Sequence, residues 1–295
     1  MHGAWVLRSA EIVVDGTPGV LVLKGEDLSA AYPGMVRYTL EFRRGDTVLY
    51  TYLTNTYEYP PANPQTAESV ALTAFHRLRQ ELPGRPDTFV LHPPEPVVRP
   101  LPPHRPEAAV IIQGSPRLYG NSAILAGWAA DACRDAGMRC ETLYPAEMRI
   151  EPCTGCFRCY NAGRCVIPDD MPAIDRALAE AGLVIVCTPV YTETVPAALK
   201  VVIDRCQAYR AGRVLAGGET GRQAGILCAV AGRKGAENFV CVSRVVGSFF
   251  RFIGAEMLGE VRVDGADAVS DIRATAGREA GVRAELRALI ARAGR

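Results

Sequence analysis

Lysine is nearly missing from this chain. It occurs only at Lys24, Lys200 and Lys234, so arginine carries almost all of the positive charge, the habit of a GC-rich genome rather than of a phosphate-binding surface. Net charge is +1 over 295 residues, which provides neither the basic field that nucleic acid needs nor an acidic tail for a basic partner. No apolar run reaches the roughly 18 residues of a membrane-spanning helix. The stretch 1–10 is too short and too broken by polar residues to be an export signal. A cytoplasmic protein without membrane or nucleic-acid partners is therefore expected. Histidine is also scarce, at His2, His76, His92 and His104, all ahead of the region that carries the motifs below. No Lys-Ser/Thr pair follows the glycines, and the dinucleotide glycine fingerprint is absent, so neither a P-loop nor a second nucleotide domain is indicated.

Cysteine, by contrast, occurs ten times. In a reducing compartment that number points to metal, cluster or redox chemistry before structural disulfides. An apolar share of 48% and a charged share of 22% are ordinary for a globular chain, and the length suits two domains.

Proline divides the sequence. Residues 92–106 read HPPEPVVRPLPPHRP, which suits an extended polyproline II connector between a domain at 1–91 and another at 107–295, with a long ordered arm on the surface of one domain as the alternative. Upstream, strand-like runs at 5–7, 11–14, 20–23, 36–42 and 47–57, a hairpin signal at Arg44-Gly45-Asp46, an amphipathic helix over 65–82 and a final strand at 87–91 describe a small α+β domain. Its tyrosines Tyr50, Tyr52, Tyr57 and Tyr59 read as one face of a half-buried sheet, with a ligand or partner face as the alternative. Downstream, strands over 108–113, 139–144, 183–188, 225–231 and 257–263 alternate with helices over 121–136, 170–181, 196–209, 237–253 and 272–293. That alternation is the signature of an α/β, doubly wound, five-stranded parallel sheet.

The first strand runs into Gln113-Gly114-Ser115-Pro116-Arg117-Leu118-Tyr119-Gly120-Asn121-Ser122 and then a helix. A helix N-terminus offers unpaired N–H groups and partial positive charge to a phosphate. Ser115, Asn121 and Ser122 add short donors, and Arg117 adds a forked counter-charge. An ordinary turn capped by Asn121 is the alternative. GlySerProArg followed by GlyAsnSer resembles the phosphate loop of the NADPH-dependent FMN reductases and their relatives, the iron–sulfur flavoproteins. The resemblance covers roughly 108–272. It implies a flavodoxin-like fold that binds FMN through Ser115, Pro116, Arg117, Gly120, Asn121 and Ser122. The segment Thr188-Pro189-Val190-Tyr191-Thr192 is similar to the family's lining of the flavin ring and ribityl chain, and Ala231-Gly232 to its third contact. Lys200, Asp204 and Arg205 match a Lys…AspArg pattern that reads equally as a surface ion pair.

Cys153, Cys156, Cys159 and Cys165 are spaced C-x2-C-x2-C-x5-C. Thiolates three apart on a compact loop can converge on a cubane, whereas zinc sites use two separated pairs. The spacing, with Asp169-Asp170-Met171 after it, is similar to the motif of the iron–sulfur flavoproteins, in which the resemblance implies a 4Fe-4S cluster exchanging electrons with FMN. Uncoordinated or disulfide-forming thiols and zinc stay open beside it. Cys133, Cys140, Cys187, Cys206, Cys228 and Cys241 read as small core residues. The resemblance further implies an oxidoreductase whose flavin carries the chemistry without a catalytic side chain, with NAD(P)H as electron donor, a small-molecule or redox-protein acceptor, and a homodimer or homotetramer. A cluster-free reductase of flavins, quinones or nitro compounds, and a carrier partnering ferredoxin, are the rival functions.

Overall fold

Asp15 and Gly16 both take positive φ, 52° and 72°, the backbone of a two-residue hairpin turn. In the computed structural model, which describes residues 3–89, 91, 102–218 and 223–293, this turn joins β1 (Ala4–Val14) to β2 (Thr17–Asp27). The meander continues through β3 (Val36–Arg44) and β4 (Thr47–Asn55), giving an antiparallel sheet in the order β1-β2-β3-β4. The runs expected as separate strands at 5–7 and 11–14 form one strand, because a register shift between Val6 and Arg8 moves the apolar side chains to the other face. Helix α1 (Ala67–Glu81) starts at a reciprocal cap between Thr66 and Ser69 and buries Ala71, Phe75 and Leu78 against Leu21, Leu23, Leu40 and Phe42. The strand expected at 87–91 is not seen: Pro86, which lacks an N–H, opens a 3-10 turn over Pro86–Thr88, and residue 90 lies outside the described residues.

Of the expected connector 92–106, residues 92–101 lie outside the described residues, and Arg105 and Pro106 already belong to β5 (Arg105–Gln113). Then follow α2 (Asn121–Asp135), β6 (Arg139–Leu143), α3 (Cys159–Ala162), α4 (Met171–Glu180), β7 (Ala181–Pro189), α5 (Ala197–Arg205), α6 (Gln207–Leu215), β8 (Gln223–Val230), α7 (Val240–Ile253), β9 (Ala255–Val263) and α8 (Arg278–Ala293). The helix expected over 196–209 is broken at Cys206 into α5 and α6. The one expected from 272 starts only after Gly277, whose φ is 73°. All pairings in the second sheet are parallel, in the order β6-β5-β7-β8-β9, the flavodoxin-like winding.

Buried on both faces, these strands are continuously apolar rather than alternating. Val110, Ile112, Val184 and Val186 meet α4, α5 and α7 on one side, while Ala109, Ile111, Leu183 and Ile185 meet α2 and α8 on the other. Cys133, Cys187, Cys206 and Cys228 lie in these cores, Cys140 is half-buried, and Cys241 is exposed. The reading of Cys241 as a core residue is thus corrected: it lies on α7 away from the buried Val242, Val246 and Phe250 face. No helix among the described residues is long and apolar enough to cross a membrane.

The chain divides into two compact units. One comprises Met1–Pro100, Thr154–Val166 and Ala211–Gly218, and the other Leu101–Cys153, Ile167–Arg210 and Glu219–Arg295. The second holds the parallel sheet, and the first contains three of the four cysteines of the spaced motif. His104 belongs to the second unit, where Nδ1 stands 3.0 Å from the Ala179 carbonyl oxygen; it therefore does not lie outside the flavodoxin-like region, as its place in the sequence suggests.

Gly182, at the start of β7, lets the backbone of Arg105 and Pro106 cross it. A Cβ there would lie 2.7 Å from the Arg105 carbonyl oxygen and 2.9 Å from the Pro106 Cα. Because backbone cannot move aside as a side-chain tip can, Gly182→Ala is expected to lower unfolding free energy by about 1–3 kcal/mol. Urea denaturation of the two proteins measures it.

Candidate functional site

Strand order turns at β5. Its neighbour β6 is reached through α2 on one face and its neighbour β7 through α4 on the other, so the topological switch point, where open α/β sheets bind ligands, lies at the carboxyl ends of β5 and β7. The expected binding residues stand at this edge. Ser115, Pro116, Arg117, Gly120, Asn121 and Ser122 follow β5, Thr188 and Pro189 end β7 with Val190, Tyr191 and Thr192 beyond, and Ala231 and Gly232 follow β8. Backbone bonds stitch the three loops to adjacent strands: Gly114 N–H donates to the Cys187 carbonyl (2.7 Å), Val190 N–H to Val230 (2.8 Å) and Ala231 N–H to Val263 (2.8 Å).

Gln113 shapes the first loop, a role the sequence reading missed. Its fully buried amide accepts from Ser115 N–H at 2.8 Å and donates to the Arg117 carbonyl at 3.2 Å, and the Ser115 hydroxyl accepts from Arg117 N–H at 3.1 Å. A glutamine closing an otherwise apolar strand was the available signal. The N-cap of α2 is Gly120, with no side-chain cap, and no acidic residue occupies the first turn. Asn121 is the first helical residue rather than the cap. Its side chain donates to the Ser270 carbonyl (3.0 Å) and accepts from Ile272 N–H (3.1 Å), tying a later loop to the helix. Pro116 and Arg117 are exposed, and Ser115 and Ser122 are buried.

The second loop turns tightly. Tyr191 and Thr194 exchange backbone bonds of 2.8 and 3.0 Å, and Thr192 and Glu193 between them take φ of 45° and 67°. Positive φ at both central positions is the type I′ pattern, ordinarily given to Asn-Gly. Placing threonine and glutamate there stores about 1–3 kcal/mol per residue. At the third loop, a Cβ on Gly232 would lie 2.2 Å from Asp267 Oδ2, so only glycine admits that carboxylate. Lys200 and Asp204 form an exposed i,i+4 ion pair at 2.7 Å, one of the two readings the sequence left open.

Arg205 turns inward. It pairs with Asp169 at 2.5 and 3.0 Å, neither side chain exposing surface, and donates to the Glu151 carbonyl at 2.6 Å. Asp169 also accepts from Glu151 N–H (3.0 Å) and Met171 N–H (3.1 Å). Residues 151 and 169 flank the cysteine segment, so this ion pair fastens its two feet together. Burial alone would raise the Asp169 pKa, yet the bonds from Arg205, Glu151 and Met171 hold it below its ordinary value. Nearby, burial raises Asp175 from 3.8 to about 7, with Arg205 opposing and Asp169 reinforcing. Its Oδ1 has no hydrogen-bond partner among the described residues.

Between those feet, Cys153 is exposed and ends a stretch of the second unit. Cys156 and Cys165 are half-buried and Cys159 is buried in the first. Gly155, Phe157 and Gly163 take φ of 66°, 55° and 70°. Among the described residues no three histidine, cysteine or acidic side chains are gathered closely enough to hold a metal ion. Four thiolates are a donor set that iron–sulfur clusters use, and joint ligation by these four would require the loop to draw them together.

Residues 108–260, about half of the chain, match the family model described as NADPH-dependent FMN reductase. An iron-sulfur flavoprotein of Archaeoglobus fulgidus is 39% identical over 101 residues, covering 34% of this chain and 46% of that protein. One of Methanocaldococcus jannaschii is 38% identical over 101 residues, covering 34% and 52%. The chain spans about half the length of the curated relatives it matches. Among solved structures, an NAD(P)H:quinone oxidoreductase from Methanothermobacter marburgensis aligns with a TM-score of 0.49 at 17% identity, over 64% of this chain and 94% of that one.

Asp175 gives the fold a pH dependence of definite sign. With its folded pKa near 7 against an ordinary 3.8, the folded chain binds more protons than the unfolded one between those values. Stability therefore falls as pH rises through that window. Asp169, shifted the other way, contributes stability that is lost only as pH falls below the ordinary carboxylate range. Thermal melts from pH 4.5 to 7.5 are expected to show a decline in the unaltered protein that Asp175→Asn abolishes; parallel profiles would refute the assignment.

Proposed function

Because this chain belongs to the NADPH-dependent FMN reductase family, we propose that it is a flavin-dependent oxidoreductase holding FMN at the carboxyl edge of β5, β7 and β8, with NAD(P)H as electron donor. The observation that carries this reading is the open N-terminus of α2. Gly120 leaves the first-turn N–H groups without a side-chain cap, no carboxylate stands in that turn, and Arg117 is exposed on the adjoining loop. These residues fit a phosphate: N–H groups, helix polarity and a forked cation meet with no like charge on the loop.

Bound FMN would supply hydride acceptance and electron transfer, which no side chain here provides. The chain's own part is binding and orientation. Ser115, Pro116, Arg117, Gly120, Asn121 and Ser122 would hold the phosphate end. Thr188, Pro189, Val190, Tyr191 and Thr192 would line the ring and ribityl chain, on a turn closed by the backbone bonds between Tyr191 and Thr194. Ala231 and Gly232 would complete the pocket, the glycine keeping Asp267 close.

The finer reading assigns Cys153, Cys156, Cys159 and Cys165 as ligands of a 4Fe-4S cluster that would let electrons leave singly, to a redox protein or a small-molecule acceptor. Its support is the set of four thiols on one short segment and the similarity to iron-sulfur flavoproteins.

Fluorescence titration of the apoprotein with FMN is expected to saturate at one flavin per chain. Arg117→Glu, an exposed change, is expected to weaken binding by roughly tenfold or more; unaltered affinity would remove Arg117 from the cradle, and no binding by either protein would remove the function. For the cluster, iron and acid-labile sulfide in anaerobically purified protein are expected at about four each per chain, falling sharply in Cys156→Ser. Full flavin with no iron after reconstitution would leave a cluster-free reductase.

A further inference from the structure

Within the first unit, the antiparallel sheet and the cysteine loop are joined by a buried polar network. Asn55, fully buried at the end of β4, donates from Nδ2 to Asn161 Oδ1 (2.7 Å) and to the Phe157 carbonyl (3.2 Å), while its Oδ1 accepts from Tyr57 N–H (3.0 Å). Asn161, 6% exposed, donates from Nδ2 to Glu58 Oε1 (2.7 Å), and its carbonyl accepts from Arg37 Nη1 (3.0 Å). Glu58 Oε1 also accepts from Asn55 N–H (3.0 Å), and Arg37 is held by Glu26. Buried amides satisfied from several sides fix one orientation, and partial satisfaction would cost more than an apolar contact.

Rings repeat the pattern. Phe157 packs against Tyr57 (centroids 4.9 Å apart) and edge-on against Tyr32 (5.2 Å), and Tyr32 meets Tyr160 edge-on at 5.3 Å. Phe157 has a φ of 55°, a strained backbone for an aromatic residue that persists only where its surroundings over-determine it. It lies between Cys156 and Cys159. Farther along, Gly163 and Gly212 of α6 touch backbone to backbone, a Cβ on either meeting the other at 3.0 Å.

We infer that the N-terminal sheet is a positioning device for the cysteine loop, in which Asn55, Glu58, Tyr32 and Tyr57 impose the backbone course of Phe157–Asn161 and thereby the placement of Cys156, Cys159 and Cys165. This deepens the proposed function and rests on its reading of the loop as the redox-active segment. It assigns a task to a domain that carries no chemical motif of its own. The positioning residues touch no reacting atom; they act through the loop backbone.

The test is site-resolved thiol alkylation of the full-length, chelator-treated protein by a maleimide, read by mass spectrometry. Cys187 and Cys228 in the core of the parallel sheet serve as internal standards. Glu58→Leu, which removes the acceptor shared by Asn55 and Asn161, is expected to speed modification of Cys156 and Cys165 roughly tenfold over those standards. Glu58→Gln keeps an acceptor oxygen and is expected to restore the slow rate. Phe157→Gly, which accepts the positive φ without strain yet removes the ring, is expected to speed them too. Loop rates unchanged in both Glu58→Leu and Phe157→Gly, or rising only in step with Cys187 and Cys228, would overturn the inference. Because the readout needs no metal, an iron-free unaltered chain would defeat the cluster reading and leave this result to be judged by itself.

Discussion

Arg205 and Asp169 meet without exposed surface, and much of the site's order depends on that meeting. A buried carboxylate facing a buried guanidinium is costly to desolvate, and removing either partner strands the other, at about 3–5 kcal/mol. Here the pair does more than satisfy itself. Asp169 takes the Glu151 N–H while Arg205 takes the Glu151 carbonyl, so one ion pair holds both backbone groups of the residue where the cysteine segment begins. Asp169 also receives the N–H of Met171, the first residue of α4. The two ends of the cysteine segment are therefore fastened to one another at the parallel-sheet unit.

Between those ends the loop meets a different part of the chain. Gly155, Phe157 and Gly163 bend it in the left-handed region, and Asn55 and Asn161 complete one another's hydrogen bonds across more than a hundred residues of sequence. A flavodoxin-like sheet and an N-terminal meander thus divide the labour: one closes the neck of the loop, and the other sets its course. Both rely on buried polar groups, which specify geometry more sharply than apolar contacts do because each donor demands a placed acceptor.

The loop proposed to cradle a phosphate is built differently. Its character comes from an uncapped helix start, a buried glutamine that curls the loop and the lack of acidic side chains in the first helical turn. The turn at Thr192-Glu193 holds two non-glycine residues at positive φ, so strain is concentrated just beyond the carboxyl end of β7.

What the sequence determined by itself was whatever depends on local period and spacing. Alternating apolar strands and helices gave the doubly wound sheet, because burial on both faces leaves a continuous apolar run that few other folds tolerate. The strand–loop–helix order at 111–122 put the candidate loop at the carboxyl edge, and the C-x2-C-x2-C-x5-C spacing singled out the thiols. The reading failed where alternatives differ by non-local partners. Asn121 looked like a cap, yet the distant Ser270 and Ile272 claim its amide. Arg205 looked like part of a surface pattern with Lys200 and Asp204, yet it lies one residue, about 100°, further round the helix than Asp204 and faces inward. The strand at 5–14 looked like two, because a bulge moves its side chains across the sheet. Only the tertiary structure could decide that the cysteine loop belongs with the N-terminal sheet, since the pairing of Asn55 with Asn161 leaves no periodic trace: a hydrogen bond between distant side chains depends on where folding brings them.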